Sequence, residues 1–249
     1  MNPELLRRYL AFYRDLGVRF LWRRALTPHP APVASLAAAD PLAAAPPAPA
    51  LLFAEEAPAD DSLARIREDI GECTRCRLHK GRTNIVFGDG NEQAKLVFVG
   101  EGPGAEEDAQ GLPFVGRAGQ LLTQMIEGTA RKEGLHLRRS DVYICNVVKC
   151  RPPENRTPLP DEIDTCSPFL FRQLAVIRPK AICCLGATAA RALLGRKEGV
   201  TRLRGQWYRW QDIPVMVTYH PSYLLRPYNQ SAKREAWEDL KKVLHYVYD

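Results

Sequence analysis

Four cysteines are spaced to hold a metal: Cys73-x-x-Cys76 as a close pair, then Cys150 and Cys166 as distant singles. Reducing compartments rarely keep disulfides, so a CxxC pair in an intracellular chain reads as a metal-ligand pair or a redox pair. Cys150 and Cys166 bracket a proline-rich, basic loop, Arg151-Pro152-Pro153-Glu154-Asn155-Arg156-Thr157-Pro158. A metal there would pin that loop to the start of the domain. Cys145, Cys183 and Cys184 lie inside apolar runs and read as small core residues. Two further stretches carry polar groups beside glycines or a proline. Gly100-Glu101-Gly102-Pro103-Gly104 is followed by Glu106, Glu107 and Asp108, and His220-Pro221-Ser222 follows an apolar run.

The elements that must position these residues alternate in type. Buried strands are expected at 95–99, 141–148, 180–185 and 215–219, and helices at 116–133, 161–177, 187–194 and 232–247. This order implies an α/β fold of three layers, α/β/α, around a central, mostly parallel four-stranded sheet. In such sheets ligands bind at the carboxyl ends of the strands. That rule draws together Gly100–Gly104, Asn146–Arg156, the Gly186 turn and His220–Tyr223.

The 249 residues carry a net charge of +6, and 45% of them are apolar. Residues 1–61 have a net charge of −1 and residues 62–249 a net charge of +7, a basic balance compatible with nucleic acid. Residues 1–27 read as an amphipathic N-terminal helix. Residues 28–61 read as a linker, because 10 Ala and 7 Pro among positions 28–50 bury too little side chain to offset ordering entropy. The domain proper is expected over 62–249. No apolar run reaches the length of a membrane span. Arginines at 7, 8, 14 and 19 interrupt the N-terminal apolar positions, unlike a secretory signal. The chain therefore reads as a cytoplasmic monomer with reduced thiols.

The glycine loop does not suit a phosphate. It lacks a Gly-Lys-Ser/Thr run, Pro103 removes a backbone donor, and the acids that follow would repel a pyrophosphate. A glycine-rich backbone followed by carboxylates suits a flat neutral ligand and a held water instead. Taken with Gly111-Leu112-Pro113-Phe114-Val115-Gly116, Asn146-Val147-Val148-Lys149-Cys150-Arg151-Pro152-Pro153, His220-Pro221-Ser222-Tyr223-Leu224-Leu225-Arg226 and the four cysteines, the pattern resembles the family 4, iron–sulfur-containing uracil-DNA glycosylases. The resemblance covers about residues 70–245.

It implies a glycosylase that hydrolyses the N-glycosidic bond of deoxyuridine in DNA. It implies a [4Fe–4S] cluster on Cys73, Cys76, Cys150 and Cys166. Gly100, Glu101 and Gly102 would line the uracil pocket, Phe114 would stack on the base, Asn146 would pair with its polar edge, and His220 would contact O2. Leu224 would enter the duplex as a wedge, and Arg226, Arg151 and Arg156 would contact DNA. In the best-known uracil glycosylases an aspartate holds the water where Gly102 stands here, which leaves Glu101, then Glu107, as candidates for that task.

Two other readings compete. A Cys₄ set with a CxxC pair also suits structural zinc, and spacing alone does not separate the two metals. A non-catalytic, metal-stabilised nucleic-acid-binding module would keep the fold without convergence of Glu101, Asn146 and His220. A thioredoxin-like redox role fits less well, because Cys73 precedes the first clear strand. A related uracil-binding type forms a covalent adduct through a histidine in an inserted loop. Residues 149–160 contain no histidine, which favours turnover.

Overall fold

The computed structural model describes residues 60–249. The helix expected at 1–27 and all but the last two residues of the linker expected at 28–61 lie outside the described residues. The first described residues already belong to the domain. Asp61 accepts from Arg172 Nε at 2.7 Å and Nη2 at 3.0 Å, and Ser62 caps the first helix by accepting from Arg65 N–H.

Helix α1 spans Leu63–Ile70. After a 3₁₀ turn at Arg77–Lys80 come β1 (Asp89–Gly90), β2 (Leu96–Gly100), α2 (Ala105–Gln110) and α3 (Arg117–Lys132). Then follow β3 (Tyr143–Asn146), α4 (Pro160–Ile177), β4 (Ala181–Leu185), α5 (Ala187–Leu194) and α6 (Val200–Leu203). The chain closes with β5 (Trp207–Trp210), β6 (Ile213–Thr218), α7 (Pro221–Leu224) and α8 (Gln230–Tyr248).

The strands form one sheet in the order β1-β3-β2-β4-β6-β5. The four expected strands are its parallel centre, and β1 and β5 add antiparallel edges. The sheet is thus six-stranded rather than four-stranded. A two-residue, exposed β1 is too short to show alternation, and the arginine within Trp207-Tyr208-Arg209-Trp210 hides β5 among loop sequences.

Alternate residues of each central strand point to opposite faces. Val97, Val99, Cys145, Ile182, Cys184, Val215 and Val217 pack with α1, α4 and α5. Leu96, Phe98, Ile144, Cys183 and Met216 pack with α3 and α8. The result is the three-layer α/β/α arrangement, and Cys145, Cys183 and Cys184 are core residues with no exposure. Among the described residues no helix is long and apolar enough to cross a membrane.

The parallel register decides what meets at the sheet's carboxyl end. Gly100 pairs with Asn146 across β2 and β3, and Leu185 pairs with Thr218 across β4 and β6. The chain leaves β2 toward β3 on one side and returns to β4 on the other. The crevice opens at that reversal.

Candidate active site

Gly100 closes β2 against Asn146. A Cβ on Gly100 would lie 2.4 Å from Asn146 Oδ1 and 2.5 Å from Phe114 Cζ. The missing side chain therefore leaves a cradle between an amide and an aromatic ring. Asn146 is 1% exposed, and its Oδ1 has no hydrogen-bond partner, one of three such buried side-chain atoms among the described residues. An unpaired buried acceptor costs about 1–3 kcal/mol, so this one reads as waiting for a donor from a ligand. Gly100→Ala should fill the cradle. We expect base binding and catalysis to be lost with the melting temperature little changed, as read by cleavage and thermal denaturation of one preparation.

Phe114 sits at φ +52°, a costly backbone state for a bulky residue that persists where surroundings enforce it. Two groups hold its loop. Arg139 donates to the Pro113 carbonyl at 2.6 Å. Glu107 accepts from Val115 N–H at 3.0 Å, Gly116 N–H at 2.9 Å and Gly104 N–H at 3.1 Å. Glu107 thus staples the glycine loop to the Phe114 loop, with its carboxylate oxygens engaged by backbone donors. Asp108 does similar work next door, accepting from Thr83 and Asn84 N–H.

Glu101 is placed differently. One carboxylate oxygen accepts from Thr188 Oγ in the first turn of α5, and Oε1 accepts no hydrogen bond from the described residues. Its backbone carbonyl receives Val148 N–H at 3.2 Å, which fixes the loop beside β3. Gly102 faces away from the cradle. A Cβ there would meet Val148 Cγ2 at 2.7 Å, so its smallness serves the packing of the 148–152 loop.

His220 follows β6, caps α7, and lies with its ring centroid 5.6 Å from that of Phe114. Ser222 N–H donates to His220 Nδ1 at 3.2 Å, with Ser222 Oγ 2.8 Å from the same nitrogen. A backbone N–H can only donate, so Nδ1 is the acceptor and the neutral ring carries its proton on Nε2. Burial lowers the His220 pKa to about 4, opposed by the nearby Glu107 charge. At neutral pH the site therefore holds a neutral imidazole with one N–H to give.

The four cysteines line a separate, small cavity together with Arg82, Lys149 and His79. Cys150 Sγ accepts from Arg82 Nη1 at 3.4 Å, and Cys166 Sγ accepts from Lys149 backbone N–H at 3.3 Å. Such donors suit sulfurs that carry negative charge. Among the described residues no group of three or more His, Cys, Asp or Glu side chains is arranged to hold a single metal ion.

Two of the four expected DNA contacts look different in place. Leu224 is 1% exposed and packs with Tyr219, Ala232 and Ala236, so it is not available as a surface wedge. The helical turn Pro221–Leu224 points it inward and presents Tyr223 instead, 38% exposed. Arg156 is not free either. It binds the buried Glu162 carboxylate in two-pronged fashion, at 2.7 and 2.8 Å, and holds its pKa below the usual carboxylate value. Arg151 bonds Asn155 Oδ1 at 2.8 Å, and Arg226 is exposed beside the Tyr223 ring. Around the CxxC pair, Arg75 and Arg77 are in ion pairs with Asp69 and Asp161. Arg82 is turned inward to the cysteine loop and donates to the Cys73 carbonyl.

Sequence reasoning passed over Thr188, Ser222, Arg139 and Lys149. Ser222 stands within the quoted His-Pro-Ser motif, which was a usable signal. Lys149 likewise stands within the quoted Asn146–Pro153 motif, whereas Thr188 and Arg139 carry no local mark.

The family model of the uracil DNA glycosylase superfamily matches residues 87–241. A type-4 uracil-DNA glycosylase of Thermotoga maritima is 48% identical over 184 residues, covering 73% of this chain and 93% of its own. One from Archaeoglobus fulgidus is 44% identical, covering 74% of this chain and 92% of its own. A type-5 uracil-DNA glycosylase of Pyrobaculum aerophilum is 32% identical, covering 66% and 74%.

Proposed function

The chain belongs to the uracil DNA glycosylase superfamily, and we propose that it hydrolyses the N-glycosidic bond of deoxyuridine in DNA, releasing uracil and leaving an abasic site. The observation that carries this reading is the unpaired, buried Asn146 Oδ1 facing the Gly100 cradle and the Phe114 ring. Uracil is flat and neutral. Its N3–H supplies the donor Oδ1 lacks, and the other half of the amide can donate to O4.

A base inside a duplex cannot reach this cradle, so the nucleotide must be turned out of the stack. Phe114 then stacks on it. The Nε2–H of His220 meets O2, where negative charge grows as the bond to the sugar breaks. A donor placed there before the reaction acts as an oxyanion site does. Glu101 Oε1 orients the water that attacks C1′ and takes its proton, and the departing uracil anion is later protonated from solvent. Glu107 is the positioning group of this set, because its carboxylate is already engaged by three N–H donors. Tyr223, rather than Leu224, is the exposed ring next to His220 that can fill the gap left in the stack, with Arg226 at its side. Arg151 stays a candidate phosphate contact.

For the cysteines we favour a [4Fe–4S] cluster. The four sulfurs share one small cavity with N–H donors from Arg82 and the Lys149 backbone, which suits bound thiolates of either metal, and the resemblance to the iron–sulfur-containing family 4 glycosylases favours the cluster over zinc. The sulfurs of Cys73, Cys76, Cys150 and Cys166 would hold it. When bound, it clamps the 150–166 loop to the start of the domain. We assign the protein a reduced, cytoplasmic setting and a monomeric state.

The test is a labelled oligonucleotide with one deoxyuridine, incubated with purified protein and then treated with alkali. Breakage at the uracil, absent from a thymine control, is the expected result. Intact strand from a brown, cluster-loaded sample would overturn the reading in favour of a binding module.

A further inference from the structure

Lys149 is fully buried, among the largest side chains with no exposure in the protein. A buried lysine is costly unless its donors are satisfied, and this one has a specific pair of partners. Its Nζ donates to the Asn146 backbone carbonyl at 2.9 Å and to Gln173 Oε1 at 2.6 Å. Gln173 is itself anchored, donating to the Phe87 carbonyl at 3.1 Å and lying 3.2 Å from the Tyr143 hydroxyl. Meanwhile the backbone N–H of Lys149 donates to Cys166 Sγ, and the next residue is Cys150. Its backbone carbonyl accepts from Val86 N–H at 2.8 Å. One residue therefore touches a cysteine sulfur through its main chain and the uracil-reading residue through its side chain.

On the glycosylase reading above, we infer that Lys149 is a positioning residue that ties the cysteine-bound loop to Asn146 and so holds the uracil-reading amide in register. Asn146 ends β3, and the chain beyond it stays tied to the glycine loop by Val147 N–H to the Gly100 carbonyl and Val148 N–H to the Glu101 carbonyl. The Asn146 carbonyl is held by the lysine Nζ, which is braced from α4 through Gln173. Without that bond the Asn146–Val147 peptide keeps only its N–H bond to the Gly100 carbonyl at 3.0 Å, so its carbonyl end can tilt and shift the side-chain amide with it. A buried carbonyl would also be left unpaired. A displacement of this kind acts on chemistry more than on binding, because Lys149 has no surface to offer DNA.

Lys149→Met keeps length and burial, removes the Nζ, and leaves the backbone bond to Cys166 in place. Wild type and variant are purified anaerobically, and four quantities are compared: visible absorbance with iron and sulfide per chain, melting temperature, KM for a deoxyuridine oligonucleotide, and single-turnover rate. The expected result is wild-type cluster content, nearly unchanged KM and a rate lowered about 10–100-fold, the usual scale for a lost supporting contact. An unchanged rate at full cluster content would overturn the inference. So would a rate that falls only in proportion to lost cluster, since Lys149 would then serve the metal alone. If Lys149→Met does not fold, Gln173→Leu removes the brace and is read the same way. A slowed rate at full cluster content supports the link, and an unchanged rate rejects it. Wild-type protein that leaves deoxyuridine intact overturns the glycosylase reading and this inference together, an outcome separable from a failed contrast between active proteins.

Discussion

Replacing His220 with alanine is expected to slow single-turnover release of uracil by about 10²–10³-fold, the cost of removing one preorganised donor from an oxyanion site. DNA affinity should change far less, because the donor matters most when charge has moved onto O2. The same ring makes a prediction about acid. His220 is neutral in the fold down to a pKa of about 4, whereas an unfolded chain would take up its proton near 6.5. Between those values the unfolded state binds more protons, so stability falls as pH drops through that window. At about 1.4 kcal/mol per pH unit, the loss reaches about 3 kcal/mol by pH 4. Above pH 6.5 the ring contributes no pH dependence. Wild type should therefore lose stability faster than His220→Ala between pH 6.5 and 4, as read by urea unfolding across that range. Parallel losses in the two proteins would mean the ring is not held neutral. A cleavage rate that falls with an apparent pKa near 6.5 in wild type and not in the variant would point the same way.

The second large effect is expected at Asn146. Asn146→Asp replaces an amide that both donates and accepts with a carboxylate that only accepts. Uracil O4 would then face an acceptor, while the amino group of cytosine would meet one it can bond. A site built to hydrogen-bond its ligand rejects the mismatched analogue by about 10⁴–10⁵-fold, and most of that margin should disappear. Uracil release should fall by about 10²–10³-fold, and release of cytosine should become detectable on matched oligonucleotides. The magnitude rests on burial: Asn146 is 1% exposed, so no water can repair the mispairing. Equal discrimination in wild type and variant would remove Asn146 from the reading of the base.

His220 could be singled out from sequence because it follows the apolar strand expected at 215–219, whereas Asn146 lies inside the strand expected at 141–148 and was singled out by the Asn146–Pro153 motif. A buried run followed by a polar residue marks the carboxyl edge of a parallel sheet, and all such edges point the same way. Gly100 and His220 are legible for that reason, and only the structure ends β3 at Asn146. The helices at 187–194 and 161–177 are equally plain, since Gly186 and Pro160 stand at their starts and their apolar spacing is helical. The edge strands are not legible in this way. β1 is two exposed residues, and β5 has an arginine where a longer strand would show a clearer pattern.

Side-chain direction was the harder matter. Glu101 and Glu107 are the same residue type six positions apart, and nothing local separates them. Only the folded loop shows Glu107 with three backbone donors and Glu101 with one side-chain partner. Leu224 matched a wedge by position, but a single helical turn buries it and turns Tyr223 outward. Arg156 reads as a free cation in sequence, but the carboxylate of Glu162, six residues on, is folded beneath it. The burial of Lys149 was the least visible of all, since a charged residue in an apolar run would ordinarily face solvent. What the sequence by itself determined is the alternation of strands and helices, the residue types at the strand ends, and the four cysteines with their spacing, because periodicity and motif are local properties. What only the tertiary structure decided is which carboxylate is free, which ring is exposed, and how Lys149 joins the cysteine loop to Asn146. Those depend on contacts between segments far apart in the chain, and the energy of burying or pairing a polar group exists only once those segments meet.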